Sequence, residues 1–394
     1  MGKGLKIKEV CEIIGGYAFK STKFTNKGVP IIRIGDISAN KVSVSSNTVY
    51  IDENIENYKK FVIYKGDILI ALSGATTGKF GIYNEDKVAL LNQRLAKISP
   101  KDDISNRYLY HYMNKLKDII YSKALGCAQP NISPKEIGEI NIFIPSINEQ
   151  NKVVDILDQC QSLIYKRKAQ MEALDELVKS RFIEMFGDTI MNPKEYQTNC
   201  LKSLADIVSG ITKGRKTNNK ELFQVPYMRV ANVKDGYIDW SEIKTIDATN
   251  EEIERYRLLD DDVLMTEGGD ADKLGRGSIL YNPPNNCIHQ NHIFRVRLNK
   301  DMINPVYFSE YLKHPLVKLY FLRSAKQTTG IASINMTQLK KAPILLPPIE
   351  LQNQFADFVK QIDKLKFEMK NSLKELEDNF NSLMQKAFNG ELFN

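Results

Sequence analysis

The sequence predicts an α+β protein: two similar globular domains separated by a long antiparallel two-helix coiled coil, with a pseudo-two-fold relation between the halves. Three observations predict it. The chain repeats itself in collinear order, each copy ends in a stretch with a 3.5-residue apolar repeat, and each globular block mixes short β-branched runs with helical segments. The segment boundaries are 1–146 (first domain), 147–187 (first long helix), 188–347 (second domain) and 348–394 (second long helix and tail).

The repeat decides the architecture. Val29-Pro30-Ile31-Ile32-Arg33-Ile34 recurs as Val225-Pro226-Tyr227-Met228-Arg229-Val230, and Gly66-Asp67-Ile68-Leu69-Ile70 as Asp261-Asp262-Val263-Leu264-Met265. Asn92-Gln93-Arg94 is echoed by His289-Gln290-Asn291, and Tyr108 with Tyr112 by Tyr307 with Tyr311. Gly126 and Asn131-Ile132-Ser133 match Gly330 and Asn335-Met336-Thr337; Ile142, Ile144 and Pro145 match Ile344, Leu346 and Pro347. The offset drifts only from 195 to 204, as expected of two copies that differ by small loop insertions.

Each copy closes on a long helix. In the first, Val153, Leu157, Cys160, Ile164, Met171, Leu174, Val178 and Met185 fall at alternating steps of 4 and 3, with Arg167 and Arg181 in the gaps. In the second, Phe355, Val359, Ile362, Met369, Leu373, Leu376, Phe380, Leu383 and Ala387 keep the same rule, with Lys366 polar. The seam is expected to run through Leu157, Ile164, Met171, Leu174 and Val178 against Val359, Ile362, Met369, Leu373, Leu376 and Phe380. A 3.5-residue period favours two helices packed along a narrow stripe. Neither helix holds Gly or Pro between its starting Pro and its terminal Gly187 or Gly390, which are stop signals. At 1.5 Å per residue, about 40 residues span roughly 60 Å. A second domain formed at the far end of the first helix requires the second helix to return, so the pair is antiparallel and acts as a ruler.

Within the blocks, Ile31–Ile34, Ile68–Leu72 and Ile140–Ile144 read as strands. Residues 108–121 and 305–322 read as helices, the latter broken at Pro315. Gly-rich connections lie at Gly15-Gly16, Gly74–Gly81, Gly210–Gly214 and Gly268–Gly277.

The chain has 394 residues, 42% of them apolar, and no run approaches the ~18 apolar residues a membrane span needs. Its start lacks an apolar signal region, and five cysteines without a CxxC pair argue against a disulfide framework or zinc knuckle. A reducing cytoplasm is the expected setting. The net charge of +7 is unevenly spread. Residues 1–146 carry 21 basic against 14 acidic side chains and 188–347 carry 22 against 19, while 147–187 and 348–390 each stand at −1. The positive excess lies on the globular blocks, which suits a polyanionic partner.

The chain looks catalytically empty. Tyr281-Asn282-Pro283-Pro284-Asn285 resembles the Asn-Pro-Pro-Tyr signature of amino-methyltransferases, but Asn285 replaces the stacking aromatic residue, and a turn is expected. Gly74-Ala-Thr-Thr-Gly78-Lys79-Phe80 is one residue short of a phosphate-binding loop, and Phe80 replaces the Mg²⁺-holding Ser/Thr. Asp260, Asp261, Asp262, Glu267, Asp270 and Asp272 lack the acidic-x-Lys triplet of a nuclease, and Asp262 aligns with Asp67 in a copy without the other acids. Cys287, His289 and His292 would not share a strand face, so no metal is expected. His111 and His314 have no nucleophile at a motif spacing.

What remains is a pair of basic readers. Phosphates call for Lys and Arg, and base edges for Arg, Asn and Gln on rigid loops. The first block offers Lys20, Lys23, Arg33, Lys79, Asn92, Gln93, Arg94 and Gln129. The second offers Lys213, Arg215, Lys216, Arg229, Asn232, Lys273, Arg276, Gln290 and Asn291.

Over its whole length the chain resembles the specificity subunits of type I restriction-modification systems. The resemblance lies in Ile140-Asn-Ile-Phe-Ile144-Pro145 followed by Glu149-Gln150, in Arg181-Phe-Ile-Glu-Met-Phe186-Gly187-Asp188, in Ala387-Phe-Asn-Gly390-Glu391-Leu392, and in Gly-Asp-Ile-Leu before a Ser/Gly loop. Leu351-Gln352 departs from the Glu-Gln pattern in the second copy. The resemblance implies two target-recognition domains, each reading one half of a bipartite, asymmetric site in double-stranded DNA. It implies helices that set the spacer and dock two methyltransferase subunits, with a separate motor-nuclease restriction subunit. No cofactor is expected on this chain; S-adenosylmethionine, ATP and Mg²⁺ would belong to the partners. The competing class is a non-catalytic scaffold with two protein-binding domains on a coiled coil, and a lone methyltransferase is third. Steep salt dependence of duplex binding separates a DNA reader from a scaffold.

Overall fold

The structure, a computed structural model, describes residues 3–38, 40–125, 130–216, 221–269, 274–328 and 331–393. The chain packs as two compact units: Met1–Ala169 with Lys370–Asn394, and Gln170–Met369. The units do not follow the linear segments. The central helix, Ile147–Phe186, and the C-terminal helix, Ile349–Asn389, each give one half to each unit.

In the first unit, the strand Lys3–Lys6 pairs antiparallel with Asn141–Ile144 and ties the ends of the block together. The main sheet has six strands in the order Cys11–Gly15, Leu95–Pro100, Ile68–Ala71, Phe80–Tyr83, Lys41–Val42, Ile37–Ser38. A second sheet runs Val49–Ile51, Val29–Ile32, Ala89–Leu91, Val62–Ile63. One helix, Asn106–Ala124, covers the main sheet; the Ser105 hydroxyl accepts from the Tyr108 N–H and fixes its start earlier than the apolar period alone suggests. Its buried face presents Tyr108, Leu109, Tyr112, Met113, Leu116 and Ile120. The Tyr108 hydroxyl donates to the Phe143 carbonyl at 3.2 Å, and the Phe143 N–H donates to the Tyr112 hydroxyl at 3.0 Å.

The second unit repeats this plan. Gln197–Cys200 pairs with Pro343–Leu346. The main sheet runs Ala205–Ser209, Ile293–Leu298, Val263–Thr266, Gly277–Ile279, beside a three-stranded sheet Lys244–Ala248, Phe223–Met228, Ile288–His289. Pro315 divides the covering helix into Pro305–Tyr311 and Pro315–Ser324, because a proline has no N–H to continue the first turn. Tyr307 and Tyr311 repeat the earlier tyrosine staples, onto the carbonyls of Leu345 and Pro343, each at 3.0 Å.

The long helices enter both cores. Val153 and Leu157 pack in the first unit's core with Ala387 and Phe388; Val178, Phe182, Met185 and Phe186 pack in the second with Phe355, Val359 and Ile362. In the second unit Asp175 meets Lys366 at 2.5 Å, the Arg181 guanidinium lies 5.9 Å from the Phe358 ring, and Phe186 lies 5.4 Å from Phe355. Numbers rise on one helix as they fall on the other, so the two run antiparallel there. In the first unit Lys152 lies over the Phe393 ring and Lys168 pairs with Glu377 at 2.7 Å, which gives the same sense. Leu157, Val178, Val359 and Ile362 are buried; Ile164, Met171, Leu174, Met369, Leu373, Leu376 and Phe380 are half-buried. Gly187 and Gly390 end the helices at φ of 81° and 78°, a left-handed conformation that glycine adopts without cost.

The glutamine at each helix start is a clamp. Gln150 is fully buried: its Oε1 accepts from the Ser105 N–H at 2.9 Å, and its Nε2 donates to the carbonyls of Asp103 and Pro145. Gln352 does the same for Asn304, Met302 and Pro347. The departure Leu351 therefore leaves the working half of the Glu-Gln motif in place. Replacing Gln352 with Leu leaves three backbone groups without this partner, one buried and two part-buried, and a buried one costs about 1–3 kcal/mol. Urea unfolding of Gln352→Leu is expected to show a loss of at least ~2 kcal/mol; an unchanged midpoint would remove the clamp.

Candidate nucleic-acid interface

In each unit a short turn between two strands becomes the meeting point of several loops. In the first it is Asn92–Arg94, between Ala89–Leu91 and Leu95–Pro100. The Asn92 N–H donates to the Ile32 carbonyl, the Gln93 N–H to Tyr17, and the Tyr17 N–H to Leu91. The Leu72 N–H donates to Arg94 and the Ile132 N–H to Leu72, which brings in the Gly74–Lys79 loop and the segment at 131–132. Four stretches of chain are thus stapled, backbone to backbone, around one turn.

The second unit uses the same bonds. The Gln290 N–H donates to Met228, Asn291 to Ile211, and Ile211 to His289; Glu267 donates to His292 and Ile334 to Glu267. These bonds pair Asn92, Gln93 and Arg94 with Gln290, Asn291 and His292. The sequence comparison, which set them against His289, Gln290 and Asn291, is one residue out of register here.

A glycine makes each assembly possible. A Cβ on Gly16 would lie 2.1 Å from the Asn92 carbonyl oxygen, and one on Gly210 would lie 2.0 Å from that of His289. Only a residue without a side chain lets the loop backbone reach the turn. His289 braces the second assembly from beneath: it is fully buried, with Nδ1 3.0 Å from the Tyr256 carbonyl and Nε2 3.3 Å from that of Val208. Burial pushes its pKa down to about 4, so near pH 7 the ring is neutral and donates its single N–H to one of these two carbonyls.

The candidate contact residues divide into three groups. Lys20, Lys79, Gln93, Arg94, Lys213 and Lys216 are exposed, and Asn291 is half-buried. Among the described residues none of these seven has a side-chain hydrogen-bond or ion-pair partner. Others are partly committed to the protein. Lys23 pairs with Glu53 at 2.6 Å, which raises the pKa of its ammonium. Arg33 donates to the Asn47 carbonyl and Arg229 to Glu242. Arg215 grips Glu252 through Nε and Nη2, a pairing that raises its pKa. The Asn92 Oδ1 accepts from the Arg94 N–H, and the Gln290 Oε1 from the Val230 N–H. Arg276 is half-buried just before the strand Gly277–Ile279, at the position Lys79 holds in the first unit, and its Nε lacks a partner among the described residues.

Asn232 corrects an expectation. It is 3% exposed, its Oδ1 accepts from the Arg229 N–H, and its Nδ2 donates to the carbonyls of Asp239 and Glu242. It is a turn clasp, the counterpart of Asp36, and has no group left for a ligand. Gln129 and Lys273 lie outside the described residues. Sequence reasoning placed Glu267 only in a rejected nuclease set and His292 only in a rejected metal set; both lie in the second assembly.

Nothing in the assemblies suggests bond chemistry. Among the described residues no group of three His, Cys, Asp or Glu could hold a metal ion, and no helix is long and apolar enough to cross a membrane. Asp262 is buried, caps the Leu259 N–H and pairs with Arg297, so it is a structural acid. The Gly74–Lys79 loop closes on itself, with the Thr77 hydroxyl donating to Gly74 and Pro130 carbonyls.

Two α+β units, each ending in a stapled cluster of loops with free cations and amides, define a two-site recognition protein. Comparison with known proteins gives the class a family. The family model described as "Type I restriction modification DNA specificity domain" matches residues 3–173 and again 193–378, and the chain belongs to that family. It is similar to the EcoKI specificity subunit of Escherichia coli K12, 25% identical with 98% of this chain and 88% of that one covered. The EcoBI specificity subunit of Escherichia coli is 23% identical over 98% of this chain and 85% of its own length. In fold it resembles the crystal structure of a type I S subunit from M. genitalium, with a TM-score of 0.56, 15% identity, and 98% and 96% of the two chains covered. A chain from a structural study of type I complex assembly gives a TM-score of 0.60 at 16% identity, with 99% and 98% covered. The chain is accordingly a DNA-recognition subunit and not itself an enzyme.

Gly210→Ala tests the stapled turn. The added methyl must displace the His289 and Gln290 backbone, and duplex affinity is expected to fall at least ~10-fold, the worth of one or two base contacts. Competition binding checks this, and wild-type affinity in a folded variant would contradict it.

Proposed function

We propose that each loop cluster reads one half of a bipartite, asymmetric site in double-stranded DNA, and that the chain directs methyltransferase and restriction subunits to that site. The observation that carries this is the pair of stapled turns, built on one backbone plan but dressed with different side chains. One plan suits one kind of ligand, and different side chains suit unequal half-sites. Lys20, Lys79, Lys213 and Lys216 are suited to phosphate, while Gln93, Arg94 and Asn291 are suited to base edges.

In the same proposal the long helices set the spacer between half-sites by their length, and their outer faces dock two methyltransferase subunits. Those partners would bring S-adenosylmethionine, and the restriction subunits ATP and Mg²⁺. The place of action would be the cytoplasm, where the DNA is. A protein scaffold would have no use for cationic loops without partners.

Exchange of residues 1–145 for the equivalent block of another family member is the direct test. Single-molecule mapping of methylated adenine in cells carrying the hybrid is expected to show one half-site replaced, with the other half and the spacer retained. A change in both halves would contradict modular reading.

A further inference from the structure

The backbone equivalence of the two turns exposes a difference that residue-by-residue comparison of the sequence hides. In the first unit the turn ends in Arg94, and the residue whose N–H donates to the Arg94 carbonyl is Leu72, only 7% exposed. In the second unit the same two places hold His292 and Glu267. The His292 Nδ1 lies 2.5 Å from a Glu267 carboxylate oxygen, and the two side chains are 57% and 36% exposed. An apolar residue and a cation in one unit are thus replaced by a carboxylate and an imidazole in the other. Among the described residues the second carboxylate oxygen has no partner.

A carboxylate on a surface that faces DNA is repelled by every phosphate around it. It is suited to one task there. It accepts and never donates, and in the major groove only adenine N6 and cytosine N4 offer donors; guanine and thymine present acceptors at the corresponding edge. The His292 N–H, by donating to one oxygen, fixes the plane of the group and leaves the other oxygen to accept. Arg94, at the equivalent place, is a donor and suits guanine O6 and N7.

We propose that Glu267, oriented by His292, is a specificity-determining residue of the second unit, and that it selects a base carrying an exocyclic amino group in the major groove. Glu267 makes the contact and His292 is its positioning residue. This rests on the DNA-reading function proposed above and adds the chemical class of one recognised base.

The test uses the full chain assembled with its methyltransferase subunits and a duplex pool randomised across both half-sites and the spacer. Wild type, Glu267→Gln and Glu267→Leu are compared by sequencing the bound fraction, with melting curves for each protein. One base pair of the half-site assigned to the second unit is expected to be specified in wild type, and the enrichment tells whether its major-groove amino group belongs to cytosine or to adenine. That preference is expected to fall about tenfold or more in both variants, within the range for loss of a base contact, with the other half-site unchanged. His292→Ala is expected to weaken the preference at the same position. Unaltered preferences in both folded variants would overturn the inference, as would a change confined to the other half-site. If wild type enriches no split site, the underlying DNA-reading proposal fails and takes this inference with it.

Discussion

Both units are completed by a helix end, which the chain supplies to the first unit from far away in sequence. Phe388, near the last residue, sits 4.6 Å from Tyr112 and 5.5 Å from Tyr108 in the core of the first unit. In the second, Phe186 lies 4.8 Å from Tyr307, and Phe182 stacks on His314 at 3.9 Å. A large aromatic side chain buried among others is worth about 3–5 kcal/mol against alanine. The first block is therefore not finished until the C-terminal residues have been added to it, and the antiparallel sense of the helices follows from where these rings are buried. The motifs Arg181-Phe-Ile-Glu-Met-Phe186-Gly187 and Ala387-Phe-Asn-Gly390 owe their residue types to this packing: two rings or one ring, then a glycine able to turn the chain sharply out of the helix.

On that frame the recognition turns are built almost wholly from backbone. Hydrogen bonds between main-chain groups hold the loops, a glycine allows the approach, and in the second unit a neutral buried histidine adds a brace. Side chains at the surface are thereby released from structural duty. Under the proposed reading, a half-site would change through substitutions at 93, 94, 291 or 292 without disturbing the backbone bonds that position the turn. Asn232 shows the opposite case. Its side chain is consumed by the clasp, and no freedom is left for recognition.

Much of this was legible in the sequence because burial and backbone geometry leave periodic marks. The 4-and-3 spacing on both long helices, the Tyr108/Tyr112 and Tyr307/Tyr311 pairs, the stop at Gly187 and the break at Pro315 each have a one-residue physical cause. The recognition turn was less legible for the reason that makes it useful. The shared Gln in Asn92-Gln93-Arg94 and His289-Gln290-Asn291 drew the two into a false register, whereas the backbone pairs Asn92 with Gln290. The strands that follow held the correct answer, since the apolar Leu95 and Ile98 match Ile293 and Val296, all four fully buried. Burial of Asn232 left no such mark, because a polar residue in a tight clasp and one on a loop tip look alike in sequence. The division into units was also hidden: a helix read as one element belongs by its contacts to two cores.

The central claim is that the two turns face two separate stretches of one duplex. Photo-crosslinking tests it most directly. A short photoreactive side chain is placed at position 93, at position 213, or at the exposed helix position 165, in the full chain assembled on a duplex carrying its methylation site, and each adduct is mapped to a base. Adducts from 93 and 213 are expected in opposite halves of the site, on either side of the spacer, with none in either half from 165. Adducts from 93 and 213 in the same half, or none from either while the complex remains bound, would contradict the account.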